Sequence, residues 1–202
     1  MPIYDTLGEE ATDHMFNETE LSTLFLSAEH VKGIVARSKL GKCNHLQNLV
    51  IMDEENITPE VNSHFNGSSL RMYKFSEVIA NGREKKQPYK TVSPNDICFF
   101  SYTSGTTGKP KGTMITHRNL VAAVAGAMYS IPIGKDETMV HLSYLPLAHI
   151  FERMLCSFCI TYGGKYGIYN GNVLKLKEDL AILKPNLFAS VPRLFNKFYD
   201  KI

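Results

Sequence analysis

The stretch Ile97-Cys-Phe-Phe-Ser-Tyr-Thr-Ser-Gly-Thr-Thr-Gly-Lys-Pro-Lys-Gly-Thr-Met-Ile-Thr116 sets the frame for the whole chain. It opens on an apolar run without alternation, which predicts a strand covered on both faces, as in a parallel sheet between helix layers. Its middle packs four hydroxyl side chains (Thr103, Ser104, Thr106, Thr107), three glycines (Gly105, Gly108, Gly112) and two lysines (Lys109, Lys111) into ten residues. Glycines let the backbone turn its N–H groups inward, hydroxyls donate further hydrogen bonds, and lysines add positive charge, so this composition suits a cradle for polyphosphate. A Ser/Thr/Gly-rich surface turn has the same composition. The spacing is not that of a Walker loop, because Pro110 stands five residues after Gly105 and Lys111 is followed by Gly112. Gly112–Thr116 reads as a short strand, so a helix dipole is not the main source of anion affinity here.

Outward from this loop, short apolar runs alternate with segments of helical spacing. The strand candidates are Leu24–Leu26, Leu49–Met52, Ile97–Thr103, Thr113–Thr116, Met139–Tyr144, Gly164–Tyr169 and Leu187–Ser190. Asn172 can cap a helix whose Val173, Leu176, Leu180 and Leu183 share one face, with Pro185 soon after. Thr116 precedes Leu120, Val121, Val124 and Met128 in helical register; Glu29–Lys39 and His149–Tyr162 are further candidates, the last closed by Gly163-Gly164. Strand and helix in alternation predict an α/β, doubly wound layout with ligands at loops beyond the carboxyl ends of strands. The polar stretches 53–69 and 81–96 read as surface connections rather than domain boundaries.

At 202 residues, with 44% hydrophobic and 21% charged side chains, the chain has the make-up of a globular domain, not of a disordered or disulfide-dense one. A net charge of +2 is too small to argue for a nucleic-acid partner through counterion release. The longest weakly polar stretch, Leu120–Ile133, has 14 residues, short of the about 20 that hydrocarbon requires, so no membrane span is expected. The amino terminus has neither a basic start nor an apolar core, and the four cysteines are too few for a disulfide scaffold, so a reducing compartment is expected.

The order of residues in Thr103-Ser-Gly-Thr-Thr-Gly-Lys-Pro-Lys-Gly112 resembles the phosphate-binding signature of the adenylate-forming superfamily: acyl-CoA synthetases, luciferases and peptide-synthetase adenylation domains. Tyr144-Leu-Pro-Leu-Ala-His-Ile-Phe-Glu-Arg-Met154 is similar to the family segment in which a Leu-Pro strand leads to a histidine beside the acyl pocket. Its Ala-His-Ile-Phe-Glu-Arg form, with Tyr4-Asp-Thr-Leu-Gly8 and Val191-Pro-Arg-Leu-Phe-Asn-Lys-Phe-Tyr-Asp-Lys-Ile202, is similar to long-chain acyl-CoA synthetases of eukaryotic type. The resemblance implies part of the doubly wound, mainly parallel-sheet amino-terminal domain of these enzymes, with residues 1–202 as a partial adenylation domain. It implies a carboxylate attacking the α-phosphate of ATP to give acyl-adenylate and pyrophosphate, after which the thiol of CoA displaces AMP. Thr103, Ser104, Gly105, Thr106, Thr107, Gly108, Lys109, Lys111 and Gly112 would hold the ATP phosphates, and His149 would line the acyl channel. Mg2+ would arrive bound to ATP and keep most of its waters. For the full-length protein the resemblance implies a place on the cytoplasmic side, compatible with peripheral association at an endoplasmic reticulum, peroxisomal or other membrane surface.

Other residues earn plainer readings. A lone histidine such as His149 equally serves as a helix cap, and Glu152 three residues on has no third ligand nearby to make a zinc site. Cys156-Ser-Phe-Cys159 reads as two small residues buried on a helix, and Arg193 and Lys197 as solvated charge on a helix edge. The family's adenine, ribose, hinge and carboxyl-terminal lysine motifs do not occur in residues 113–202. The expectation is therefore a fragment of a long-chain fatty acid–CoA ligase, inactive alone and prone to associate through exposed edges; the rival is a non-catalytic nucleotide-binding or interaction protein derived from one.

Overall fold

Leu49, Val50 and Ile51 are all buried, as a strand covered on both faces requires. They lie in β2 (Asn48–Ile51), which runs parallel to β1 (Thr23–Leu26) on one side and to β3 (Arg71–Lys74) on the other. The computed structural model describes residues 1–4, 7–103, 109–131 and 138–200. The three-stranded sheet belongs to one of two compact units, Asp5–Thr91 with Thr103–Gly112; the other comprises Met1–Tyr4, Val92–Tyr102 and Thr113–Ile202. The boundary at Thr91 and Val92 falls inside the stretch 81–96, read from sequence as mere surface connection. Residues 81–97 are exposed throughout, so no apolar burial carries across them.

In the first unit, α1 (Glu9–Glu18) is tied to α2 (Val31–Lys39) by Arg37, whose guanidinium meets the carboxylates of Glu9, at 3.2 Å, and Asp13. A short 3-10 turn, Ala28–His30, takes the first part of the helix expected over Glu29–Lys39. The sequence reading did not include α1, β3, α3 (Pro59–His64) or α4 (Phe75–Glu84). Neither α3 nor α4 buries a residue. α4 carries Phe75, Val78 and Ile79 at helical spacing, a periodicity the sequence reading passed over; α3 has no such face and is set by Thr58, whose hydroxyl accepts from the Val61 N–H at 3.3 Å, and by Pro59 in the first turn. β3 is an edge strand with polar ends, Arg71 and Lys74, and so lacks the apolar run of a central strand.

β4 (Ile97–Thr103), of which residues 97–102 belong to the second unit, is hydrogen-bonded to β5 (Lys111–Thr116), of which residues 113–116 do. Coverage of β4 on both faces is not found: Phe99 is buried, but Ile97 is 46% exposed, because β4 has one partner strand among the described strands rather than a sheet interior around it. Thr116 caps α5 (His117–Ser130): its hydroxyl accepts from the Asn119 N–H at 3.2 Å while Asn119 Oδ1 accepts from the Thr116 N–H at 3.0 Å.

The best-developed layer is β6 (Val140–Ser143), parallel to β7 (Lys165–Ile168), with His141 opposite Tyr166 and Leu142 opposite Gly167. Strand alternation sends Leu142 to one face, where it clusters with Tyr144, Leu176, Leu180 and Leu183, the last three from α7 (Leu176–Leu183). Met139 goes to the other face, packed with Phe158 and Cys159 of α6 (Ile150–Thr161) and Val124 of α5. Helices on both faces of a parallel pair are the α/β arrangement expected. The run Leu187–Ser190 is not a strand; only Leu187 makes a parallel bridge, to His141. Asn186 intercepts the ladder, its Oδ1 accepting from the Val140 N–H at 2.7 Å and its Nδ2 donating to the Thr138 carbonyl at 3.0 Å.

Helix α6 ends as its sequence foretells. Gly163 adopts φ +68°, its N–H reaches the Ile160 carbonyl at 3.0 Å, and the Gly164 N–H reaches Cys159 at 2.9 Å, a Schellman closure. Asn172 caps a 3-10 turn, Val173–Lys175, that continues into α7, and α8 (Pro192–Tyr199) presents Arg193 and Lys197 to solvent while Leu194 packs on the Leu142 cluster.

Candidate functional site

Thr103 is the last residue of β4 and Lys111 the first of β5, so the hydroxyl- and lysine-rich run is the connection between two hydrogen-bonded strands. Thr103, Lys109 and Lys111 are exposed and Gly112 is half-buried. Ser104, Gly105, Thr106, Thr107 and Gly108 lie outside the described residues. Lys109 borders a cleft of about 570 Å³ whose other walls are Glu10, Asp13, His14, Asn17 and Lys42. Two carboxylates beside two lysines give that cleft no clear preference for an anion.

His149 belongs to the second unit and is exposed at the N-cap of α6, at the end of the turn that follows β6. Its backbone N–H donates to Pro146 at 2.9 Å, and its Nδ1 accepts from the Phe151 N–H at 3.3 Å. With Nδ1 accepting, the neutral ring carries its hydrogen on Nε2. Arg153, one turn on, donates from Nη2 to the Leu147 carbonyl at 3.0 Å and lays its guanidinium 4.4 Å from the centroid of Phe99 in β4. The capping role and an outward-facing imidazole are thus both present in one residue.

Beneath this turn lies a buried polar network that the sequence reading did not assemble. His141 and Glu152 are both 0% exposed, with Nε2 and Oε1 3.1 Å apart. The Tyr166 hydroxyl lies 3.2 Å from the same Oε1 and 2.6 Å from the Ser143 hydroxyl, and His141 Nδ1 lies 3.4 Å from the Leu187 carbonyl. Burial pushes the Tyr166 phenol well above its usual range, with the Ser143 hydrogen bond opposing it. Spacing along the chain pairs Glu152 with His149, three residues away; its partner is eleven residues back, on another element. The available signal was a histidine within the mainly apolar stretch Met139–Tyr144 and a glutamate within the mainly apolar segment Ile150–Thr161. Cys156 and Cys159 are free thiols on α6, Cys159 buried and pushed up by that burial. Among the described residues, no group of three or more His, Cys, Asp or Glu side chains could hold a metal ion, and no helix is long and apolar enough to cross a membrane.

Residues 1–201 match the AMP-binding enzyme family, and the chain belongs to it. It is 36% identical over 202 residues to the peroxisomal long chain acyl-CoA synthetase 6 of Arabidopsis thaliana, and 35% identical over 207 residues to the human long-chain-fatty-acid–CoA ligase 1. All of this chain is covered in both cases, but it spans only 28% and 29% of those relatives' lengths. Among solved structures, the adenylation domain of a carboxylate reductase from Mycobacterium chelonae superposes with a TM-score of 0.82 at 21% identity, covering 99% of this chain and 32% of that one. The fold is therefore that of part of an adenylation domain.

Proposed function

We propose that these 202 residues are the phosphate-loop and acyl-wall portion of an ATP-dependent long-chain fatty acid–CoA ligase. The observation that carries this reading is the run Thr103–Gly112, set as the connection between β4 and β5 with Thr103 and Lys111 exposed at its two ends. The relatives' names supply the substrate class. On this reading both compact units belong to one adenylation domain.

In the reaction, a fatty-acid carboxylate oxygen bonds to the α-phosphorus of ATP and the bond to the β-phosphate bridge breaks, giving acyl-adenylate and pyrophosphate. The CoA thiol then attacks the acyl carbon and AMP leaves. Thr103 and the loop hydroxyls Ser104, Thr106 and Thr107 donate to the β- and γ-phosphates, while Gly105, Gly108 and Gly112 allow the backbone to close on them. Lys111, aided by Lys109, offsets charge on the departing pyrophosphate. His149 lines the fatty-acid channel at the site of attack. Mg2+ carried in with ATP would neutralise part of the phosphate charge, while the loop residues named above would hold the phosphates themselves. Three of the similar curated proteins are named as peroxisomal, which supports a working position at an organelle surface, where a long-chain acid partitions.

The test is palmitate-dependent ATP–pyrophosphate exchange, followed by acyl-CoA formation, in the intact ligase carrying these residues, with the isolated 202-residue chain as an inactive control. Exchange that ignores the fatty acid, or an intact protein that binds ATP without exchange, would return the chain to the rival class of non-catalytic nucleotide binders.

A further inference from the structure

We propose that Glu152 and His141 form a staple that holds the turn Tyr144–His149 in shape, making Glu152 a positioning residue for His149; this rests on the ligase reading above. The two residues are eleven apart, so their 3.1 Å contact closes a loop of chain whose interior is the Leu-Pro-Leu-Ala-His segment. Glu152 is the third residue of α6 and His149 its N-cap, so whatever fixes Glu152 fixes the start of the helix that presents the imidazole. The carboxylate is held from both strands beneath it, by His141 on β6 and by the Tyr166 hydroxyl on β7, itself 2.6 Å from Ser143. Cys156, one turn further along α6, also faces Tyr166.

Stability alone does not account for a carboxylate here. Glu152 is fully buried, and its second oxygen, Oε2, has no hydrogen-bond partner among the described residues. A leucine would fill the space without that unmade bond, and replacing both members of a buried charged pair by apolar residues is often neutral or stabilising. What leucine does not supply is direction. The bond exists whichever partner holds the proton, as Nε2–H donating to Oε1 or as a carboxyl O–H donating to Nε2, and in either form it sets the angle at which α6 leaves the sheet. Arg153 completes the arrangement on the outer side by donating to the Leu147 carbonyl.

The test compares the parent chain with H141L/E152L, and with E152Q and Y166F as milder variants that retain the shape of the site. In the 202-residue chain, the double variant is expected to keep a cooperative thermal transition while amides in residues 144–151 exchange about tenfold faster or more, within the range of coupling between residues in contact. Residues 23–51 of the other unit serve as the unchanged reference. E152Q and Y166F move exchange in the same direction by less, and they carry the test if the double variant does not fold. In the intact ligase, the double variant raises KM for the fatty acid about tenfold with KM for ATP within about twofold, a split that general destabilisation does not produce. Unchanged exchange over 144–151 in a folded variant overturns the staple. Normal fatty-acid kinetics in H149A, with accelerated exchange in H141L/E152L, overturns the role given to His149 and leaves the staple standing as a device of the fold.

Discussion

The guanidinium of Arg153 lies 4.4 Å from the centroid of the Phe99 ring and thereby joins the first turn of α6 to β4, the strand that ends at Thr103. One side chain thus touches the strand that leads into the hydroxyl- and lysine-rich run and, through its bond to Leu147, the turn that leads to His149. Replacing Arg153 by alanine removes a cation–π contact and a charge-assisted hydrogen bond, and the expected loss is about 1–3 kcal/mol. Lysine keeps the charge but not the planar fork that allows both contacts, so R153K recovers less than half. Chemical denaturation of the three proteins checks this, and full recovery by lysine would show that only the charge matters.

Lys111→Ala in the intact ligase removes the exposed cation at the start of β5. Pyrophosphate exchange is expected to fall by about 100- to 1,000-fold, the usual effect of deleting one donor to developing negative charge, about 2.7–4 kcal/mol. Lys109→Ala should cost less, since Lys109 shares its cleft with Glu10 and Asp13. Equal rates for the Lys111 variant and the parent would remove the loop from the reaction.

Two glycines separate backbone from side-chain tolerance. A Cβ at Gly164 would sit 2.8 Å from the Met139 carbonyl oxygen, whereas one at Gly167 would meet the Leu183 methyl carbons, the nearer at 2.6 Å. Backbone in a strand-flanking position does not yield easily, but a leucine side chain can change rotamer. G164A is therefore expected to cost about 1–3 kcal/mol and G167A less, although its contact is the shorter. Thermal midpoints in the reverse order would refute the assignment of rigidity.

Alkaline stability follows from the buried acids. The Tyr166 phenol is raised in the folded chain, so above about pH 10 the unfolded state binds fewer protons than the folded one, and stability falls as pH rises. The Cys43 and Cys159 thiols, also raised by burial, begin the same trend from about pH 8.5. Y166F should start lower in stability but lose it less steeply above pH 10, in a series of thermal midpoints from pH 7 to 11; parallel curves for variant and parent would contradict it. At the acid end the sign reverses. Asp53 is lowered by hydrogen bonds from Asn56 and the Ala28 N–H, so its contribution is present above about pH 4 and is lost as pH falls, and D53N should flatten that limb.

The sequence by itself determined the α/β class and most elements with strong local signals. Thr116 and Asn172 announced helix starts, Gly163-Gly164 announced the end of α6, an unbroken apolar run marked β2 and a mainly apolar one β6, because each of these signals is short-ranged and chemical. α3 and the edge strand β3 passed unread because they bury little and show no apolar pattern, and α4 passed unread although Phe75, Val78 and Ile79 share one face, because that face stays largely exposed and the element lies in a polar stretch. The tertiary structure alone decided three things. It divided the chain at Thr91 and Val92, cut the expected strand at 187–190 to a single bridge through the Asn186 side chain, and paired Glu152 with His141 rather than with His149. The reason is the same in each case: a polar side chain's partner is set by which strands and helices come together in space, and spacing along the chain carries no record of that distance.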